Sequence, residues 1–544
     1  MEGRTERAQP ARRDGRIALA IGAATLMFYA VTIPGNHSEA EDAFSYAWDV
    51  EHNSARALLH SQHLFYGPLM KWLFAAAHSL RLVDRAYPAM LGFSLVCGGL
   101  AVALVFLLFR SRLDFPVRQA TLVAAVVAAS YGFWRYACET EIYVPATAAV
   151  LMALHAAAAR GRSLLASVGA PLVGAAAVLL HGLAALPVLI GIPVLHAVVG
   201  RPRRAVLHVL VAGSIVATAY GVTGKRPTGG LERPRASERQ AVARVVTGTI
   251  AFGQTIVSGN FLFGLECVRE RVQTAYPQRM LAEEIYMGRA ASRSTTLLAF
   301  LSLAGLIGAG LWVLTTLVRA PRRLPGARSP DLLRLGVLAA ALAWLVMHAG
   351  VALWYAPGDP ETWITAVPAF WVATALLAFP RLTLAGRRGL AVGAVCLLMH
   401  NWVGGMLPIA SRASDYNVAK SCWLVAHARP GDLVVTAENL VFVRYLRYYS
   451  QAGVLELYGG RSGGPAEWKA AIRRAGGRVY ATADVFSPPA SMRARYPDAT
   501  RAVLDFGGEV ETEFRQIKAD EFGGIFVCEI RGKKHNGIGP TANP

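Results

Sequence analysis

YPAMLGFSLVCGGLAVALVFLLFRSRLDFPVRQATLVAAVVAASYGFWRYACETE, residues 87–141, decides how the whole chain is read. Tyr87–Phe109 is an apolar run long enough to cross a hydrocarbon core, which takes about 20 residues of helix. It stops at Arg110–Arg118, where Arg110, Arg112 and Arg118 outnumber Asp114. A second apolar run, Gln119–Tyr136, then stops at the acidic turn Glu139-Thr140-Glu141. Apolar, basic, apolar, acidic is the pattern of a chain that crosses a membrane and returns, because arginine-rich loops stay in the cytoplasm.

The alternation extends in both directions. Further apolar runs occupy Arg16–Pro34, Ile142–Ala159, Leu164–Leu180, Leu183–Val199, Ala205–Val222, Thr295–Val318, Leu335–Tyr355, Thr362–Phe379 and Gly389–Pro408, so about eleven transmembrane helices are expected. With the arginine-rich start (residues 1–15) inside, the loops Arg160–Arg162, Arg201–Arg204, Arg319–Arg334 and Arg381–Arg388 also fall in the cytoplasm, and all are basic. No small-residue cleavage site follows Tyr29, so the first run reads as a retained signal anchor. Leu64–Leu80 carries Lys71, His78 and Gly67-Pro68 and reads as interfacial or re-entrant.

Composition agrees. The 544 residues are 54% hydrophobic and 17% charged, whereas a soluble domain carries about 25% charge. The net charge of +20 sits in short clusters between apolar runs. That placement fits topology and excludes nucleic-acid binding, which needs a continuous basic face. The six cysteines show no CxxC spacing, which argues against a zinc site. From Ser411 the composition becomes that of a water-soluble domain (residues 411–532), with strand-like GDLVVTAEN, GVLELYGG, GRVYATADVF and GGIFVCEI separated by helical patterns. A small extracytoplasmic α/β domain with a largely parallel sheet is expected, followed by a disordered tail at 533–544. Cys422 and Cys528 both fall in it and are candidates for pairing, or for two unpaired thiols. Gly459–Gly464 lacks the strand and Lys-Ser/Thr of a phosphate loop and reads as an ordinary loop.

Buried charge in the spans would mark an ion path, but the spans hold only scattered histidines, which read as packing residues. The carboxylates instead gather in three outer loops: Glu39, Glu41, Asp42 and Asp49; then Glu139 and Glu141; then Asp359 and Glu361. They are either a site at the membrane–water boundary or a solvated rim.

The order and sidedness of NHSEAEDAFSYAWDVEH (36–52), the His63-x-x-Tyr66-x-Pro68 element, FWRYACETEIYVPATAAVLMAL (133–154) and YAPGDPETWITAVPAFWV (355–372) resemble the GT-C superfamily of membrane glycosyltransferases. That superfamily includes protein O-mannosyltransferases, aminoarabinose transferases and lipopolysaccharide-sugar transferases. The resemblance covers the topology of residues 16–410, with motifs over about fifty residues. It implies a multi-pass plasma (inner) membrane protein, a polyprenyl-phosphate sugar donor, inverting transfer and an extracytoplasmic lipid, glycan or protein acceptor. It also implies a catalytic carboxylate in the first outer loop: Asp42 first, Glu41 second. Glu139 and Glu141 would then orient the acceptor, and Tyr143, Asp359 and Glu361 would bind substrate. With Asp42, Glu139 and Glu141 would hold a divalent cation if one is used. For the donor phosphate the candidates are Arg135, Lys225 and Arg226, and His63 and Tyr66 would bind the donor's phosphate or its sugar. An ion pair with Glu139 is the alternative for Arg135, and interfacial packing is the alternative for His63 and Tyr66. The outer loop Thr223–Ser294 contains the apolar GQTIVSGNFLFG, expected to lie on the membrane and gate the donor. A transporter would show repeats and broken helices, which the sequence lacks. An O-antigen polymerase or ligase would share the lipid-linked substrate.

Overall fold

In lipid an apolar run can satisfy its backbone only as a helix or within a closed barrel, and every apolar run above is helical. The computed structural model describes residues 2–38, 42–159, 165–225, 238–275, 282–289, 291–319, 331–458 and 463–528. In chain order the helices are α1 (Glu2–Val31), α2 (Ala43–His52), α3 (Tyr66–Ser79), α4 (Ala86–Leu107), α5 (Val117–Ala129), α6 (Tyr131–Ala137) and α7 (Tyr143–Ala157). There follow α8 (Ala170–Leu180), α9 (Ile192–Val198), α10 (Pro202–Thr223), α11 (Glu238–Ile256), α12 (Glu266–Ala275), α13 (Ala282–Arg289), α14 (Arg293–Arg319), α15 (Leu332–Tyr355), α16 (Val367–Ala378) and α17 (Leu384–Asn401).

Among the described residues, seven helical segments are long and apolar enough to cross a membrane: Arg12–Val31, Ala86–Arg112, Pro202–Thr223, Arg293–Arg319, Leu332–Tyr355, Pro360–Ala378 and Leu384–Met406. The other four runs are the shorter apolar helices Val117–Ala129, Tyr143–Ala157, Ser167–Leu180 and Gly182–Val198. One shortening has a visible cause. The run Gln119–Tyr136 breaks at Ser130, whose extended backbone (φ −66°, ψ 126°) separates α5 from α6. Its hydroxyl folds back onto the Val126 carbonyl at 2.7 Å.

Glycines set the closest helix approach, as small residues do where lipid supplies no net hydrophobic drive between helices. A Cβ on Gly99 of α4 would lie 2.7 Å from the Gly22 carbonyl of α1, and one on Gly98 would lie 2.9 Å from Ala137 of α6. Leu64–Leu80 becomes α3, pinned to α2 by Lys71 Nζ donating to the Val50 carbonyl at 2.9 Å. GQTIVSGNFLFG is anchored by side-chain hydrogen bonds. His400 bonds the Ser258 carbonyl (3.0 Å), Asn401 accepts from the Ser258 N–H (2.9 Å), and Asn260 donates to Tyr131 (2.6 Å). Those polar anchors, with Phe261 buried, fix the segment to α6 and α17.

Residues 266–286 and 415–544 form a second compact unit, so part of the long loop belongs with the C-terminal domain. Within it, Glu283 accepts from Asn417 (3.0 Å) and Asn439 (3.1 Å). The helices here are α18 (Tyr416–His427), α19 (Leu440–Tyr449), α20 (Pro465–Arg474), α21 (Ala490–Arg495) and α22 (Pro497–Val510). The strands are β1 (Leu433–Thr436), β2 (Gly453–Glu456), β3 (Val479–Thr482), β4 (Arg515–Lys518) and β5 (Ile525–Cys528), in the order β2-β1-β3-β5-β4. β1 pairs in parallel with β2 and β3, but β5 and β4 are antiparallel, so the expected parallel sheet is a mixed one. The unanticipated β4 forms a hairpin with β5 whose turn ends on Gly523 and Gly524, both at positive φ. Helices cover both faces: Trp468, Ile472, Val503 and Phe506 pack on one, Leu424, Phe442 and Leu446 on the other. Cys422 is exposed, Cys528 is buried in the first of these clusters, and no disulfide joins them. Residues 459–462 of the glycine-rich loop and the tail lie outside the described residues.

Candidate active site

The acidic turn between α6 and α7 is no solvated rim: Glu139, Thr140 and Glu141 are all 0% exposed. A buried carboxylate needs partners to stay ionised, and Glu139 has three. His37 Nδ1 meets Oε2 at 2.7 Å, Arg135 donates to the same oxygen at 3.2 Å, and the Tyr87 hydroxyl donates to Oε1. The carboxylate only accepts, so His37 Nδ1 carries the proton. Burial raises the Glu139 pKa, but His37 and then Arg135 and Tyr87 outweigh it and hold it at about 2. Arg135 also donates to the Asn36 carbonyl at 3.2 Å, tying the first loop to this turn. Asn36 in turn donates to the Ser414 carbonyl at 2.8 Å. The Arg135–Glu139 ion pair is therefore present, and this arginine is engaged by protein groups. His37 and Tyr87 were not anticipated, because no spacing in the sequence links them to Glu139.

Four further carboxylates lie around Tyr143, the first residue of α7. Glu361, Asp359, Glu141 and Asp42 all act electrostatically on its phenol. Glu361 accepts from Tyr136 at 3.1 Å and from Tyr143 at 3.4 Å. Asp359 caps the following 3-10 turn by accepting from the Glu361 N–H at 2.9 Å. Asp42 precedes α2 and accepts from Tyr46, one turn along, at 3.0 Å. All three acidic loops thus share one neighbourhood. Glu41 and Arg226 lie outside the described residues.

Aromatic rings line the same region. Tyr46 meets His63 edge-on at 5.2 Å and Tyr66 at 5.6 Å, and His63 stacks on His60 at 4.2 Å. Burial, with His60 beside it, pushes the His63 pKa down to about 3, so it is neutral at pH 7. Tyr220 of α10 donates to the Ser61 carbonyl at 2.8 Å, holding this loop against the end of α10. There the helix closes on Gly224 in the left-handed conformation (φ 66°), and Lys225 follows, exposed and acting on His60. A divalent cation on Asp42, Glu139 and Glu141, if one is used, would compete with protein donors. Both Glu139 oxygens are engaged by protein donors, and among the described residues no three metal-ligating side chains converge.

No family model matches the sequence, and no curated protein does. Solved structures do match in fold. The ArnT of Cupriavidus metallidurans, bound to undecaprenyl phosphate, superimposes with a TM-score of 0.55 at 13% identity, over 95% of this chain and 99% of its own. Weaker matches are the Archaeoglobus fulgidus oligosaccharyltransferase (TM-score 0.45, 12% identity, 94% of this chain and 73% of that one) and the mycobacterial arabinofuranosyltransferase AftD (0.43, 14%, 96% and 40%). Near-complete mutual coverage by the first, together with the apolar helices, gives the conclusion: this chain is a multi-pass membrane protein with the fold of that ArnT.

Proposed function

We propose that the chain is an inverting glycosyltransferase that moves a sugar from a polyprenyl-phosphate donor to an acceptor outside the cytoplasm. The observation that carries this reading is the convergence of Asp42, Glu141, Asp359 and Glu361 on Tyr143. In this reading all eleven apolar helices cross the membrane and the α/β unit is extracytoplasmic. Asp42 takes the proton of the acceptor hydroxyl as that oxygen attacks the anomeric carbon from the face opposite the phosphate. The carbon–oxygen bond to phosphate breaks, and polyprenyl phosphate leaves as an anion. Lys225, with Arg226, stabilises that charge, since an ammonium or guanidinium strengthens most when charge develops. Glu141, Asp359 and Glu361 orient the acceptor. The undecaprenyl phosphate bound to ArnT supports a lipid-phosphate carrier here.

The test is Asp42→Asn in proteoliposomes supplied with undecaprenyl-phosphate sugars and lipid acceptors. Loss of general-base catalysis should lower transfer by about 10²–10⁴-fold with insertion unchanged. Transfer at the wild-type rate would remove Asp42 from the mechanism.

A further inference from the structure

Among the buried side chains of the helical unit that have a polar atom with no hydrogen-bond partner, three lie together. They are His63 (Nδ1), Tyr66 (hydroxyl) and His181 (Nδ1), exposed by 8%, 0% and 5%. The chain is folded so as to bring them together. Gly182 N–H donates to the Gln62 carbonyl at 2.7 Å and Phe65 N–H to the Leu179 carbonyl at 2.8 Å, docking the loop before α3 onto the end of α8. His63 and Tyr66 meet edge-on at 6.3 Å, and His181 packs edge-on against Tyr143 at 4.9 Å. Tyr46 closes the set beside His63 and Tyr66.

A buried polar atom without a partner is costly, and a cluster of them calls for an occupant. What occupant fits follows from the chemistry of the wall. A neutral imidazole offers one donor and one acceptor, and a phenol offers both. His63 and His181 are each held at a pKa of about 3, chiefly by burial, so neither is a cation for phosphate. Such a wall suits a neutral, polyhydroxylated group packed against ring faces and edges. Two neighbours fix which such group it is. Lys225 lies beyond His60, which stacks on His63, and the sugar is the neutral group covalently next to a lipid phosphate. On the other side Asp42 bonds Tyr46, and Glu141 acts on both Tyr46 and Tyr66.

Resting on the glycosyltransferase reading above, we infer that His63, Tyr66 and His181 form the subsite that reads the hydroxyl groups of the donor sugar, with the phosphate held separately by Lys225. Specificity for one sugar over its epimers then resides in the loop before α3 and the end of α8, and affinity for the lipid phosphate at the end of α10.

Full-length protein in proteoliposomes tests this with undecaprenyl-phosphate-linked glucose, galactose, mannose and arabinose, using sugar-free undecaprenyl phosphate as inhibitor. Tyr66→Phe removes one oxygen and keeps the ring. It should lower kcat/KM for the preferred donor by about tenfold, narrow the preference among epimers, and leave inhibition by undecaprenyl phosphate within about twofold. His181→Gln should behave likewise, and Lys225→Ala should do the reverse, weakening inhibition with donor preference intact. Because the Tyr66 hydroxyl has no partner in the protein, Tyr66→Phe should also melt no lower than wild type when no donor is present. An unchanged donor preference, inhibition weakened as much as transfer, or a lowered donor-free melting temperature each overturns the subsite. Wild-type protein that binds undecaprenyl phosphate yet transfers no sugar from any donor overturns the glycosyltransferase reading itself.

Discussion

Glu139→Gln is the substitution on which the structure makes its firmest demand. The carboxylate is fully buried, and His37, Arg135 and Tyr87 converge on it. Its pKa falls from the ordinary 4.5 to about 2, and at about 1.4 kcal/mol per pH unit that difference stabilises the fold by about 3 kcal/mol at neutral pH. A second route agrees: removing one member of a buried ion pair costs about 3–5 kcal/mol, because the other charge is left unpaired. Here the stranded charge is Arg135, itself 0% exposed. A depressed carboxylate pKa stabilises above the unfolded value and loses that stabilisation as pH falls through the folded one. Wild type should therefore weaken between pH 4.5 and about 2, and the variant should lack that component of the pH dependence. Reversible unfolding in mixed micelles, followed by tryptophan fluorescence across this range, measures both effects. A loss below about 0.5 kcal/mol at pH 7 would be that of an ordinary surface substitution. Glu139 would then not be the clamp between the first loop and the α6–α7 turn.

Two further substitutions probe the scaffold. Gly99→Ala places a Cβ 2.7 Å from the Gly22 carbonyl, so it should cost about 1–3 kcal/mol by overpacking the α1–α4 crossing, read as a lower melting temperature in detergent. In the α/β unit, Lys420 is buried between Glu438, which it contacts directly, and Asp484 at 2.8 Å. Although burial lowers its pKa, Asp484 and Glu438 raise it well above the ordinary lysine value. Lys420→Met leaves two buried carboxylates facing each other and should cost about 3–5 kcal/mol, seen as proteolysis of residues 415–528 at temperatures where wild type resists.

How far the sequence could be read depends on the range of the interaction concerned. Apolar run length and arginine clusters act locally, and both left plain signals: each of the eleven runs is helical, and the acidic turns stand where the hydropathy stops. Arg135 and Glu139 are four residues apart, so their ion pair was visible as an alternative. The break at Ser130 was not, because a serine inside an apolar run carries no breaker signal of its own. All of the strands but β4 were legible. β1, β2, β3 and β5 read as short strands, whereas β4, exposed at the edge with Arg-Gln-Ile-Lys, shows no such pattern.

The sequence alone determined that this is a membrane protein with its carboxylates collected in the loops between apolar runs, because transfer of side chains and backbone from water to lipid is decided residue by residue. Only the tertiary structure decided what those carboxylates do. It separated Glu139, bonded by His37, Arg135 and Tyr87, from the group around Tyr143, and it brought His63 and Tyr66 from one loop together with His181 more than a hundred residues on. Electrostatics and hydrogen bonding act over a few ångströms in space whatever the separation in sequence, so the partners that assign each charge its role appear only once the helices have packed.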